Sequence, residues 1–247
     1  MSENKIYQDL KEKFESGSFK SDKDKTFEAA LSKAYADMSR RATGHKPEMK
    51  DNCMEKLRPE FEEVIKSTFT SQEKFDNWHE ELCGEILEAH GSFGTIGRAQ
   101  KVINMAFKYL SCINNDYDSV LKYCHMTLDG YTLNWYNQKF NASVKEWSKI
   151  KDYNVYKEIQ EKIRSEIENG CSYSIKIGNK ETKNIDLPTT PFEAEFIIWE
   201  GEIINSKYND MVKSLNNYKK EGREKDNWLI ESIFDNFLSE FVSKSDK

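Results

Sequence analysis

The sequence predicts a mainly α protein with one small β-hairpin near 172–187, and three observations predict it. Only four prolines and eleven glycines interrupt 247 residues, so long stretches are free to propagate helical hydrogen bonds. Apolar residues recur at three- and four-residue spacing through most of the chain, the signature of helices with one buried face. One segment, Ser172-Tyr-Ser-Ile-Lys-Ile, alternates with period two and runs into Gly178-Asn179. Alternation followed by a turn dipeptide predicts two antiparallel strands.

In chain order, the spacing predicts helices near 4–15, 24–41, 51–68, 72–89, 96–113, 117–124, 130–149, 154–169, 191–216 and 226–242. The first is followed by a Lys/Ser/Asp-rich loop over 16–25. The fifth carries Ile103, Phe107 and Leu110 on one stripe, and the last carries Ile230, Ile233, Phe234 and Phe237. Asp129 is placed to cap the helix that opens at 130, because a short carboxylate side chain accepts the unpaired first-turn N–H groups. The hairpin ends near Leu187, and Pro191 falls where a first helical turn tolerates proline. The Lys/Ser/Asp-rich end at 242–247 is expected to be a frayed tail. No repeat and no long linker divides the chain. One helical domain spanning 1–247 is expected, with two helical lobes flanking a cleft as its finer form.

Composition narrows the function. At 37% apolar and 13% aromatic residues, a chain of this length can bury a sizeable core. No segment approaches a membrane span, and Met1-Ser-Glu-Asn-Lys lacks the apolar stretch of a signal peptide. Cys53, Cys83, Cys112, Cys124 and Cys171 are odd in number and form no CxxC pair, so reduced thiols and a cytoplasmic location are expected. The net charge of −6, from 37 basic and 43 acidic residues, argues mildly against nonspecific binding to a polyanion. Between Lys139 and Lys183, however, ten basic residues face seven acids.

Several common chemistries lack their residues. His79 and Cys83 stand one helical turn apart, but the second histidine of an HExxH zinc site is missing. Adjacent Cys124 and His125 do not converge on one ion, so no metal and no cofactor is expected. There is no GxSxG nucleophile elbow and no GxxxxGK[ST] phosphate loop.

Three stretches carry the functional signal. In the first, Gly91-Ser-Phe-Gly94-Thr-Ile-Gly97-Arg98 leads into a helix that begins Ala-Gln100-Lys101. A glycine-rich turn at a helix start either presents N–H groups to a phosphate or is simply a tight interhelical turn. Lys101, Met105 and Lys108 share a stripe beside the apolar face. A lysine there either snorkels to water or, if desolvated, becomes a usable amine nucleophile. The second stretch is Met126-Thr-Leu-Asp129-Gly-Tyr, where Asp129 reads as a helix cap or as a rigidly held catalytic carboxylate. The third is Pro191 to Gly201, where Glu195 and Trp199 lie one turn apart. The plain reading gives Trp199 to the core and Glu195 to solvent. The sharper one puts both in a pocket.

Together the three stretches resemble the archaeal type of 8-oxoguanine DNA glycosylase, a branch of the helix-hairpin-helix glycosylase superfamily, over roughly 91–136 and 187–202. Gln100-Lys101, with Lys108 and Leu110 beyond, is similar to the helix that carries that family's Schiff-base lysine. Met126 to Tyr131 resembles its catalytic aspartate run, with Thr127 in place of the proline. Leu187 to Gly201 resembles a late helix whose acidic residue and tryptophan line the base pocket. The resemblance implies Lys101 and Asp129 as catalytic residues and Gln100, Met105, Glu195 and Trp199 as the base pocket. It also implies Gly94, Gly97 and Arg98 as contacts to the DNA backbone. Met105 stands where the family has a pocket aromatic, Glu195 is glutamate instead of aspartate, and the 172–187 hairpin has no counterpart.

The implied activity is excision of a modified base from double-stranded DNA by a monomer, with strand nicking by β-elimination as a second activity. Two substrate classes compete: a hypermodified base of viral DNA, in antiviral defence, and an oxidised or alkylated base, in repair. The alternative from another class is a noncatalytic helical protein that binds DNA or protein and keeps the fold without the reaction, which the acidic net charge favours. The position of the Lys101 amine relative to Asp129 discriminates them.

Overall fold

The computed structural model describes residues 5–40, 44–66, 69–91, 94–177 and 180–220. The helix expected over 226–242, the tail expected over 242–247 and the Gly178-Asn179 turn lie outside the described residues. Mainly α architecture with one antiparallel hairpin is what the chain adopts. The helices are α1 (Lys5–Ser18), α2 (Phe27–Ser39), α3 (Pro47–Lys66), α4 (Gln72–His90), α5 (Ile96–Leu110), the single turn α6 (Asp118–Leu121), α7 (Gly130–Phe140), α8 (Tyr153–Glu168) and α9 (Pro191–Lys220). Strands β1 (Ser172–Ile177) and β2 (Lys180–Asp186) stand between α8 and α9.

Local chemistry sets the helix starts. Thr26, Ser71, Thr95, Asp129 and Asp152 each sit in extended backbone, with a side-chain oxygen accepting a first-turn N–H. These caps satisfy donors that no helical carbonyl reaches. Proline opens both α3, at Pro47, and α9, at Pro191. The start at Pro47 precedes the expected onset at 51, because proline supplies a helical φ at a position where its missing N–H costs nothing.

Helix α5 is the axis of the molecule. Of its fifteen residues only Arg98 and Lys101 escape burial, as befits a helix covered on all sides. It packs against α2 and α4, with α8 and a short 3₁₀ turn at Trp147–Lys149 also against it. Phe107 sits among the rings of Phe61, Phe75, Trp78 and Tyr117. The second packing centre is α9, which meets α1, α7, α8 and β1.

Tyr173 anchors the hairpin to α9. Tyr173 pairs across the strands with Ile185 and lays its ring over Gly201, where an added Cβ would come within 2.1 Å of the ring. Its hydroxyl bonds Glu202, and Asn205 donates to it at 3.0 Å. A glycine is therefore required on α9 at the crossing point.

The largest departure from expectation is α7. The helix predicted over 130–149 stops at Phe140, because Asn141 adopts a left-handed conformation at φ 49°. Asparagine tolerates that region better than most residues. The Asn137 side chain then holds the escaping chain, accepting from Val144 N at 3.0 Å and donating to Val144 O at 2.8 Å. Residues 141–150 become a loop that returns to the start of α5.

Candidate active site

The site begins with a piece of extended chain, residues 124–128, that has no neighbouring strand. Buried backbone groups need partners, and here long side chains supply them. Gln160 of α8 brackets Met126, accepting from its N at 3.1 Å and donating to its O at 2.8 Å. Gln100 of α5 does the same for Leu128, at 3.1 and 2.8 Å. Between them Glu195 of α9 accepts from Thr127 N at 2.7 Å. Arg164 adds bonds to the carbonyls of Tyr123 and Cys124 at 2.9 and 3.1 Å. Three helices thus fix the segment that delivers Asp129.

Asp129 caps α7 as the sequence predicts. Its Oδ1 accepts from Tyr131 N at 2.8 Å and Thr132 N at 3.1 Å, while its own N–H donates to Thr132 Oγ1 at 2.9 Å. That capping box leaves Oδ2 turned outward. Trp199 Nε1 donates to Oδ2 at 3.2 Å, and Lys101 Nζ lies 3.9 Å from the same oxygen. At that separation the attraction is of charges, without a direct hydrogen bond.

Both groups open onto a cleft of about 1670 Å³, yet each is mostly covered, with side chains 12% and 14% exposed. Met105, Lys108, Trp147 and Trp199 also line it. Trp147 was not singled out by sequence, since it belonged to the last turn of an expected helix. Its ring centroid lies 4.6 Å from Lys101 Nζ. Three contacts hold its loop to the start of α5. Thr95 Oγ1 donates to Ser148 O at 2.9 Å, Gly97 N donates to Ile150 O at 3.0 Å, and a Cβ at Gly97 would stand 1.7 Å from Trp147 O.

The other expected site residues divide. Met105, Trp199 and Arg98 line the cleft with Lys101 and Asp129. Gln100 and Glu195 do not, and the expectation that they read a base is corrected by their bonds. Both oxygen and nitrogen of the Gln100 amide are engaged, with Leu128, Gly97 O and Asn104. Glu195 is 3% exposed, bonding Lys108 Nζ at 2.8 Å through one oxygen and Thr127 through the other. The plain reading of this pair is inverted too: Glu195 is buried and Trp199 half-buried. The backbone N–H groups of Gly94 and Gly97 are likewise spent internally, on Gly91 O and Ile150 O. The glycines serve chain packing, and a phosphate clasp through those donors is not available.

Lys108 stands in the core at 2% exposure. Besides Glu195, its ammonium faces the rings of Phe14, Phe196 and Trp199 at 5.0, 4.3 and 5.2 Å. This pairing joins residues 87 positions apart and leaves no signal in local spacing.

His79 and Cys83 belong to a buried polar cluster beneath the site. His79 bonds Tyr153 and Asn104 at 3.0 and 3.2 Å and stacks on Tyr156. His125 bonds Tyr156 and Asp76 at 3.0 and 2.9 Å. Burial pushes both histidines below their ordinary pKa and raises the Cys83 and Cys124 thiols. Among the described residues no cluster of three His, Cys, Asp or Glu side chains is arranged to hold a metal ion. No helix among them is long and apolar enough to cross a membrane. Against the protein-family models, the curated proteins and the solved structures, the chain finds no significant match.

Proposed function

We propose that the protein is a DNA glycosylase in which Lys101 attacks C1′ of a flipped modified nucleotide while Asp129 manages the proton and the developing charge. The observation that carries this reading is the Lys101 Nζ to Asp129 Oδ2 separation of 3.9 Å inside a large cleft. The two backbone N–H bonds that make Asp129 a helix cap also hold its carboxylate rigid, as a catalytic carboxylate has to be.

The steps balance as follows. The Lys101 ammonium gives a proton to Asp129 Oδ2, through a bridging water or by closure of the gap when substrate binds. The free amine forms a bond to C1′ as the C1′–N glycosidic bond breaks, its electron pair leaving with the base, which then takes the proton from Asp129. Oxocarbenium character builds at C1′ in between, and Asp129 stabilises it as its proton passes to the departing base and its negative charge returns. The C1′–O4′ bond then breaks as one proton moves from the nitrogen to O4′, which opens the sugar and leaves a protonated imine on Lys101. Loss of a C2′ proton then expels the 3′ phosphate and nicks the strand. Flipping brings the base into the cleft, where Trp199 offers a ring and Met105 an adaptable apolar surface. Arg98, at the rim of the same cleft, suits a backbone phosphate.

The substrate is a modified base of double-stranded DNA, either hypermodified viral DNA or an oxidised or alkylated base. A single panel separates these. Borohydride trapping on damaged duplexes, abasic DNA and hypermodified viral DNA is expected to yield a covalent adduct that Lys101→Ala abolishes. Asp129→Asn should lower excision by about 10²–10⁴-fold, the usual range for a positioned acid–base group, with the far-ultraviolet spectrum unchanged. No adduct and no released base on any DNA would favour the noncatalytic binding protein.

A further inference from the structure

Lys101 has two neighbours at its amine, and the catalytic reading uses only one. Asp129 lies 3.9 Å away, and the Trp147 ring centroid lies 4.6 Å away. Trp147 lines the same cleft as Trp199, so each member of the Lys101/Asp129 pair is held by its own tryptophan. Trp199 donates to the carboxylate, and Trp147 offers its π face to the ammonium.

Geometry gives that ring a second role. An atom attacked by Nζ must come within about 3–3.5 Å of it. A carbon so placed, with a base attached one bond beyond, occupies space next to a ring centred 4.6 Å from the same nitrogen. A nucleotide that reaches Nζ along the wall of the cleft that Trp147 lines comes into contact with that ring. The loop resists displacement, pinned to the start of α5 by Thr95 and by close contact at Gly97. On α5 itself the residue one turn after Lys101 is Met105, which has no ring to offer.

We propose that Trp147 is a substrate-contact residue that stacks on the flipped nucleotide and trades the Lys101 ammonium for it on binding. This rests on the glycosylase reading above and adds a ring to the pocket from outside the three stretches that suggested that reading. Stacking is tolerant of base identity, so Trp147 sets affinity for a planar flipped base without choosing among planar bases.

The experiment compares Trp147→Phe, Trp147→Leu and Trp147→Ala with the parent in single-turnover excision on the DNA that traps. Binding to unmodified duplex and melting temperature are measured alongside. Loss of a base–aromatic stack predicts a fall of about 5- to 150-fold in excision rate at subsaturating protein for Trp147→Ala and Trp147→Leu. Trp147→Phe should recover to within a few-fold, and unmodified-duplex affinity should hold. The leucine variant keeps bulk without a ring, so the comparison survives if the alanine variant fails to fold. Leucine matching phenylalanine, or all variants excising at the parental rate, overturns the stacking role while leaving the glycosylase reading intact. Absence of excision by the parent protein overturns both.

Discussion

Trp199 and Lys108 show how single side chains tune the site. The indole N–H of Trp199 is the side-chain donor on the outward oxygen of Asp129, at 3.2 Å. Trp199→Phe keeps a ring and removes that donor. A hydrogen bond to a charged group contributes about 1.5–3 kcal/mol, so single-turnover excision should fall by about 10- to 150-fold with little change in duplex binding. An unchanged rate would remove Trp199 from the chemistry. Lys108 makes a different prediction, because its partner Glu195 is buried and also holds Thr127. Lys108→Met strands a buried carboxylate, and urea unfolding should show a loss of about 3–5 kcal/mol. Adding Glu195→Gln should restore most of it, since glutamine keeps an oxygen for the Thr127 N–H and carries no charge. A double variant no better than the single one would place the cost elsewhere.

At the scale of elements, the segment 124–128 behaves as a strand whose neighbours are side chains. Gln160→Leu unpairs both the N–H and the carbonyl of Met126. Each buried group left unmet costs about 1–3 kcal/mol, so a lower melting temperature and a loss of excision are expected together. Gly97→Ala acts on another element, driving a Cβ into Trp147 O. It should destabilise by about 1–3 kcal/mol and shift Trp147 fluorescence, and a variant as stable as the parent would refute the close approach. Much of this level is legible in sequence. Periodicity marks α5, and the polar residue ahead of the apolar run of α7 marks the cap at Asp129. Periodicity does not mark the end of α7, because one asparagine in a left-handed conformation stops a helix without disturbing the apolar spacing around it. The loop bearing Trp147 was hidden for that reason.

Across the whole molecule, burial disfavours the protonated form of three histidines. Burial lowers His79 and His125, and with help from His45 and Arg98 it lowers His90 from 6.5 to about 4. The unfolded chain binds these protons near pH 6.5 while the folded chain refuses them. Stability is therefore complete above that value and is lost as pH falls towards the folded pKa values. Each histidine contributes up to about 1.4 kcal/mol per pH unit in this window, so the melting temperature should fall steadily between pH 7 and 5. A flat profile would mean that these rings are hydrated in solution.

The sequence by itself determined the mainly α class, the hairpin, the cap at Asp129 and the presence of Lys101 beside a buried face. Those features rest on contacts within a few residues, and spacing records them directly. Only the tertiary structure decided which polar residues face the cleft and which hold the chain together. Gln100 and Glu195 have the right types for a pocket, but buried backbone at 127 and 128 and the Lys108 ammonium claim them first, because an unmet buried polar group costs more than an unused reader gains. Trp147 reaches Lys101 from 46 positions away through a loop that no periodicity marks, so its place in the site is a property of the packing alone.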